Sequence, residues 1–287
     1  MKFAQYFDGQ TQRLGLVEGE EIVDLATGNA RLPTTLAQLL AAGNEAMEAA
    51  RDAAGSARRL PLTSVRLGPP VYPRKFLGLG LGYRSHVEEM RKTGMTIPEH
   101  QVWFSKLVTC LNGPYDPIHV PQVSPQLDYE GELAIVIGKR ARHVKAADAK
   151  AVIAGYMVCN DVTVRDWQKR SPTAMLGKSF DTHGPVGPWM TTADEVPNPD
   201  DLYLKTWVDG ELRQDGRTSD MAWTFGAMIE ELSSVFTLEP GDILSTGTPG
   251  GVGVGFNPPR FLTPGQVVRV EIEGLGYIEN RVIAEPQ

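Results

Sequence analysis

Asp128-Tyr-Glu-Gly-Glu-Leu-Ala-Ile-Val-Ile-Gly138 is the stretch on which the fold and the chemistry of this 287-residue chain turn. Its apolar, β-branched second half reads as a strand, and along a strand residues two apart point to the same face. Glu130 and Glu132 therefore present two carboxylates side by side. At roughly 6 Å and an effective dielectric of ~20, two like charges repel by about 3 kcal/mol, so the pair requires a proton, an arginine or a metal ion between them. A bare Glu-x-Glu is more often an exposed strand whose glutamates each meet a cross-strand Lys or Arg, and the pair alone does not decide between the two.

A third carboxylate adds weight to the cation. Val158-Cys-Asn-Asp-Val-Thr-Val164 is again strand-like and runs into the helix-compatible Arg165-Asp-Trp-Gln168. Asp161 lies where apolar strand gives way to polar sequence, a position from which a strand end can present a ligand. Three carboxylates without His or Cys at ligand spacing suit a hard cation such as Mg²⁺ or Mn²⁺ and disfavour zinc. By itself Asp161 reads equally as a turn residue bonded to its own backbone two residues on.

Beyond residue 70, apolar runs with frequent Gly and Pro dominate, at 76–81, 131–138, 152–158, 202–208, 242–245 and 267–272. They predict a β-rich body in which 221–236 is the clearest helix, because its apolar residues recur at three- and four-residue intervals. Before residue 70, strand-like runs at 2–7, 13–17 and 21–24 are separated by Asp8-Gly9 and Glu18-Gly19, which implies a small meander. Helical patterns at 35–42 and 45–54 follow, the second ending near Gly55, and 60–70 reads as an extended connection. The expected organisation is α+β and β-rich, with a small N-terminal α+β domain at 1–70 and a larger domain at 71–287.

Composition narrows the function. No apolar stretch reaches the ~20 residues needed to span a bilayer, and the 41% hydrophobic and 22% charged content is that of a globular domain, so no membrane role is expected. A net charge of −7 without a long Lys/Arg run excludes a general nucleic-acid surface. An anionic substrate must then meet a locally positive pocket. The opening Met1-Lys-Phe-Ala-Gln-Tyr-Phe-Asp8 lacks the apolar core of a secretory signal, which makes cytoplasmic residence the expectation. Cys110 and Cys159 form no C-x-x-C, and they are expected to pack as small hydrophobes in a reducing compartment.

Gly78-Leu-Gly-Leu-Gly-Tyr-Arg-Ser-His-Val-Glu-Glu-Met90 passes from strand through glycines into helix and superficially suggests a dinucleotide loop. The register needs glycine at 83, where Tyr83 stands, and Gly247-Thr-Pro-Gly-Gly-Val-Gly-Val-Gly255 lacks the Lys-Ser/Thr of a phosphate loop. Both nucleotide readings fail. The first segment does read as a capping box, Ser85 as N-cap with Glu88 three residues on, leaving His86 and Glu89 neighbours on one helical face. A carboxylate beside an imidazole fixes its tautomer and stabilises its protonated form, as a general base requires. A surface helix with Glu88 or Glu89 paired to Lys92 would show the same letters.

Gly80-Leu-Gly-Tyr-Arg-Ser-His-Val-Glu-Glu89, Asp128-Tyr-Glu-Gly-Glu-Leu133, Asn160-Asp-Val-Thr-Val-Arg-Asp-Trp-Gln168, Gly177-Lys-Ser-Phe-Asp181 and Ser245-Thr-Gly-Thr-Pro-Gly-Gly-Val-Gly253, taken in order, resemble the fumarylacetoacetate hydrolase family. The resemblance covers residue 70 to the C-terminus and implies a mixed β-sandwich roll, usually dimeric, with the small N-terminal domain of some bacterial-type members. It implies Mg²⁺ or Mn²⁺ on Glu130, Glu132 and Asp161, a catalytic dyad of His86 and Glu89 on a mobile lid, and a substrate-facing Lys178. Arg165, Gln168, Gly247 and Thr248 look like substrate contacts. Two departures fall near the lid: Gly82 replaces the commoner asparagine, and Leu107 replaces a proline that often follows Lys106.

Beside the resemblance, each supporting residue has its own reading. Lys178 is a cation in a Gly- and Pro-rich loop, a setting that also suits an ordinary solvated lysine. Thr248 precedes glycines that let backbone N–H groups approach a carboxylate, or form a plain turn. Arg165 and Gln168 share a helical face, at the spacing of any i, i+3 surface pair. His100, His119, His143 and His183 have no spacing that suggests a ligand set.

The expected function is metal-dependent hydrolysis of a carbon–carbon bond in a small β-diketo acid, of the acylpyruvate, fumarylpyruvate or 2,4-dioxo sugar-acid type, releasing pyruvate or a related 2-oxo acid in aromatic or sugar-acid catabolism. Decarboxylation of oxaloacetate-like acids and isomerisation of 2-hydroxyhepta-2,4-diene-1,7-dioate-type acids use the same enolate-stabilising half without an activated water, and a non-catalytic cation-binding scaffold is the alternative from another class. The His86/Glu89 pair favours hydrolysis.

Overall fold

Alternation along the strand Gly131–Ile137 divides the interior in two. Its residues Leu133, Ile135 and Ile137 enter one apolar cluster, with Leu204, Val270, Ile272 and Ile278 from a second sheet and Met228, Ile229 and Leu232 from the helix Phe225–Val235. Ala134 and Val136 enter the other, against Met157, Cys159 and Met190 and the helical residues Leu36, Leu39, Ala50 and Ala53. A strand covered on both faces has no use for polar alternation, which is why this run is continuously apolar.

The computed structural model describes residues 1–92 and 94–286. Among them, the main sheet contains twelve strands. Its principal order is Arg58–Pro61, Glu21–Asp24, Thr11–Glu18, Lys2–Asp8, Gly184–Thr192, Ile153–Asn160, Gly131–Ile137, Ile243–Ser245, Phe76–Gly80 and Val102–Lys106. The sheet is mixed: Ile243–Ser245 runs antiparallel to Gly131–Ile137 and parallel to Phe76–Gly80. A five-stranded sheet, ordered Glu211–Arg217, Tyr203–Val208, Val267–Ile272, Gly276–Ala284 and Ile118–Val120, packs across one of its faces. The result is the β-rich α+β fold the pattern predicts. No described helix is long and apolar enough to cross a membrane.

The first seventy residues form the expected meander and the two expected helices, Leu36–Ala41 and Asn44–Ala54, with a single helical turn at Leu25–Gly28 before them. Thr35 caps the former by accepting the Gln38 N–H at 3.3 Å. The 60–70 connection contains the short strand Arg66–Gly68, and Arg58–Pro61 pairs with Glu21–Asp24. Lys2–Asp8 joins Gly184–Thr192 through Lys2↔Thr191 and Phe3↔Met190, so the meander extends the main sheet. Its helices cover that sheet's outer face, and residues 1–70 share one apolar cluster with the body.

Several elements escaped the pattern, Val102–Lys106 and Ile118–Val120 among them, and three others show why. Gly184–Thr192 carries Pro185 and Pro188, which argue against an interior strand, yet it lies between two others, with a register shift at Tyr156/Val158 in its neighbour. Glu211–Arg217 is polar because it is an edge strand, with only Gln214 buried. Gly276–Ala284 buries alternate residues, Ile278, Asn280 and Val282, and the asparagine among them blurs its period.

Candidate metal centre and its acid–base helix

Antiparallel register brings the three carboxylates together. Gly131 pairs with Asn160, so Glu130 and Asp161 flank the same end of two adjacent strands. The Asp161 N–H donates to the Glu130 carbonyl at 2.8 Å, and the Glu130 N–H to Asn160 Oδ1 at 3.0 Å. Glu130, Glu132 and Asp161 are all buried and offer oxygens within 4.8 Å of one another.

Cations answer this charge unevenly. Lys178 Nζ lies 2.6 Å from both Glu130 Oε2 and Asp161 Oδ2. Lys106 Nζ lies 2.6 Å from Asp161 Oδ1 and donates to the Lys178 carbonyl at 2.5 Å. Arg165 reaches Glu130 Oε1 with Nη1 at 2.7 Å and Asp128 Oδ2 with Nε at 2.8 Å. Glu132 has only neutral donors, Ser245 Oγ at 2.5 Å and the Gly247 N–H at 2.9 Å. Burial alone would raise both glutamates. At Glu130 the Lys178 ammonium, followed by Arg165, overcomes it and holds the carboxyl well below the ordinary range. Glu132 is pushed well above that range, first by burial and then by Asp161 and Glu130. Four buried carboxylates (Asp128, Glu130, Glu132, Asp161) thus face three buried cations (Lys106, Arg165, Lys178), and Glu132 is the one left without a cation to pair with. An all-oxygen trio of this kind fits a hard divalent cation, which would supply the missing positive charge.

The helix Arg84–Lys92 brings His86 to the same cavity, with Glu89 beside it. Leu81, at φ 57°, turns the chain out of Phe76–Gly80 into this helix. For a leucine that left-handed conformation costs about 1–2 kcal/mol. His86 Nδ1 lies 3.0 Å from Glu89 Oε2, and because a carboxylate only accepts, Nδ1 carries the proton and Nε2 keeps its lone pair. Glu89 Oε1 accepts the Gly251 N–H at 3.0 Å. A Cβ on Gly255 would lie 2.2 Å from that oxygen, so any larger residue there would push the carboxylate from this position. The expected capping box is absent: the helix starts at Arg84, Ser85 Oγ accepts from Gly250 N–H at 3.3 Å, and Glu88 pairs with Arg91. Asp220 takes over the cap from a distant segment, its Oδ2 accepting the Ser85 N–H at 3.0 Å.

A cavity of about 360 Å³ receives His86, Glu130, Glu132, Arg165, Gln168, Lys178 and Thr248. Met90, Met95, Val102 and Phe104 form an apolar wall beside them. Asp161 and Glu89 lie behind the lining, each reaching it through a partner. Gln168 Oε1 accepts from Arg165 Nη1 at 3.1 Å. Thr248 Oγ1 donates to the Gly131 carbonyl at 2.8 Å and accepts from Gln214 Nε2 at 2.7 Å. Gly247, expected beside substrate, has its N–H committed to Glu132 and holds that carboxylate in place. At φ 93° it presses on Gly82, where a Cβ would lie 2.3 Å from the Thr246 carbonyl, so glycine at 82 belongs to this close seam.

Lys106, Asp128 and Gln214 belong to the site without having been assigned to it. Lys106 is buried on the same strand face as Phe104, and a lysine on an apolar face is a signal in itself. Asp128 accepts the Gly253 and Val254 N–H groups at 2.7 and 2.9 Å, tying the glycine-rich loop to Arg165. Gln214 accepts the Gly131 N–H at 3.0 Å while donating to Thr248, a link between distant strands that no local spacing reveals.

Comparison with known proteins places this geometry. Residues 75–283 match the family described as fumarylacetoacetate (FAA) hydrolase C-terminal. The mitochondrial oxaloacetate tautomerase Fahd2a of Rattus norvegicus is 41% identical over 268 residues, 92% of this chain and 85% of the relative. The fumarylacetoacetate hydrolase structure from psychrophilic Exiguobacterium antarcticum superposes with a TM-score of 0.86 at 36% identity, covering 99% of this chain and all of that one. The structure of maleylpyruvate hydrolase from Sphingobium sp. SYK-6, in complex with manganese (II) ion and pyruvate, gives 0.82 at 34% identity over the whole of both chains.

Proposed function

The chain belongs to the fumarylacetoacetate hydrolase family, and from that premise we propose that it hydrolyses a carbon–carbon bond in a small β-diketo acid of the acylpyruvate type. The observation that carries this reading is the His86–Glu89 dyad, whose imidazole belongs to a residue lining the cavity that also receives Glu130 and Glu132. A Mg²⁺ or Mn²⁺ ion on Glu130, Glu132 and Asp161 would supply the positive charge that holds a 2-oxo acid head and favours its enolate form. The manganese and pyruvate named in the Sphingobium complex support that choice of cation and product.

The chain's own residues supply the rest. His86 Nε2 removes a proton from water, whose oxygen attacks the distal carbonyl, while Glu89 stabilises the resulting imidazolium. Lys178 spends two of its three ammonium hydrogens on Glu130 and Asp161, leaving the third for the developing oxyanion. Cleavage leaves the electron pair on the 2-oxo acid fragment as an enolate, and the imidazolium proton returns to its carbon. The other fragment leaves as a carboxylic acid. Arg165 adds positive potential that draws an anionic substrate into an acidic protein.

The identity to the rat oxaloacetate tautomerase favours a second reading, proton transfer alone at the carbon beside the 2-oxo group. Hydrolysis is preferred because the cavity of about 360 Å³ with its Met90, Met95, Val102 and Phe104 wall has room for an acyl tail that oxaloacetate lacks. The test is turnover of a panel of acylpyruvates and of enol oxaloacetate with Mn²⁺, by wild type and His86→Ala. Acylpyruvate cleavage that falls by about 10²–10⁴-fold in the variant supports hydrolysis. Tautomerisation without any acylpyruvate cleavage would replace it with the second reading. Homodimer assembly and a cytoplasmic setting complete the proposal, and light scattering at assay concentration tests the first.

A further inference from the structure

We propose that Asp220 is a positioning residue for the His86–Glu89 dyad, acting through the first turn of the Arg84–Lys92 helix. The proposal rests on the reading of that dyad as the acid–base pair. The first N–H groups of a helix have no partners within it, and a cap normally comes from the residue just before. Here Tyr83 precedes the helix and its side chain has no capping oxygen to give, being buried with an unpartnered hydroxyl. The cap comes instead from 135 positions away, where Asp220 Oδ2 accepts the Ser85 N–H at 3.0 Å.

Three further contacts make this a fixed joint. The Ala222 N–H donates to the Gly82 carbonyl at 2.8 Å, Tyr83 bridges to Met221, and Arg84 Nη1 donates to the Ser219 carbonyl at 3.3 Å. A second set of bonds comes from the glycine-rich loop, with Gly250 N–H to Ser85 Oγ at 3.3 Å and Gly251 N–H to Glu89 Oε1 at 3.0 Å. Asp220 and the loop thus grip Ser85 through different atoms, its N–H and its hydroxyl. Two separate grips on a nine-residue helix set its rotation about its own axis. His86 is the next residue after Ser85, so this rotation sets where Nε2 points. The carboxylate also opposes the positive end of the helix dipole. Of the helix, only His86 and Met90 are buried, a narrow inward face whose rotation the polar grips help to fix.

Asp220 is not part of the cavity lining, so its loss should act on the chemical step and leave substrate and cation binding alone. In acylpyruvate hydrolysis with Mn²⁺, Asp220→Ala should lower kcat about tenfold or more, with KM and Mn²⁺ affinity within about twofold of wild type. Asp220→Asn keeps an acceptor oxygen and should recover to within about threefold. In a His86→Ala background, Asp220→Ala should cost nothing further, because its effect passes through the imidazole. If Asp220→Ala does not fold, Asp220→Glu, which moves the carboxylate by one methylene, should show the same loss in kcat at unchanged KM. Wild-type kcat in both Asp220→Ala and Asp220→Glu would overturn the proposal. So would an equal further loss in the His86→Ala background, the mark of a merely structural role. A His86→Ala variant with wild-type activity would instead overturn the dyad itself.

Discussion

Glu130 and Glu132 are two positions apart and electrostatically unlike. Lys178 and Arg165 neutralise the first, whereas the second has two neutral donors and no ion-pair partner among the described residues. The repulsion predicted from spacing is thus relieved at one carboxylate and left standing at the other, where a cation has something to gain. His183 shows the opposite use of burial. Enclosed with its Nε2–H donated to the His119 carbonyl at 2.8 Å, it is pushed down from its usual 6.5 to about 3, chiefly by desolvation. A group whose folded pKa lies below its unfolded value contributes stability that is full above the unfolded pKa and is lost as pH falls toward the folded one. The protein should therefore lose stability between about pH 6.5 and pH 3 as the unfolded chain takes up a proton the native state refuses. His183→Gln, which keeps a donor and cannot titrate, should flatten that part of the pH profile in chemical denaturation. An unchanged slope would show that other groups carry it.

At the scale of elements, the sequence was legible where period and burial agreed. Val267–Ile272 and Glu21–Asp24 coincide with their predicted bounds, and Gly131–Ile137 differs by one residue, because one-sided or two-sided burial leaves an unmistakable pattern. Glu211–Arg217 and Gly184–Thr192 were illegible because edge exposure and proline erase that pattern. The same division holds in the site. Glu130, Glu132, Asp161, His86 and Glu89 lie in short local motifs, and the structure brings them to one end of the sheet. Lys106, Gln214 and Asp220 act through pairings 55, 34 and 135 positions long, which no window of sequence reveals. The Ser85–Glu88 capping box failed for a related reason. A tertiary partner, Asp220, supplied the cap, and the local serine was free to bind the glycine loop.

At the scale of the molecule, the N-terminal segment is bound to the body by sheet and core. Lys2–Asp8 pairs with Gly184–Thr192, and Leu36, Leu39, Ala50 and Ala53 share a cluster with Val136, Met157 and Met190. Removing residues 1–70 would strip one edge of the interior strand Gly184–Thr192 and uncover that face, at about 1.5–3 kcal/mol for each large side chain exposed. The truncated chain 71–287 should aggregate or unfold. A soluble, cooperative truncated protein would instead show that residues 71–287 fold on their own.

The central claim is that Glu130, Glu132 and Asp161 hold a divalent cation without which the His86–Glu89 dyad has no substrate to act on. Mn²⁺ titration of chelator-stripped wild type and Glu132→Ala, read as acylpyruvate hydrolysis, tests it most directly. Wild type should be inactive when stripped and recover with Mn²⁺. Glu132→Ala should lose at least about 100-fold in Mn²⁺ affinity, more than the loss of a supporting group would cost, and with it the turnover. Full activity of Glu132→Ala in stripped buffer would contradict the account.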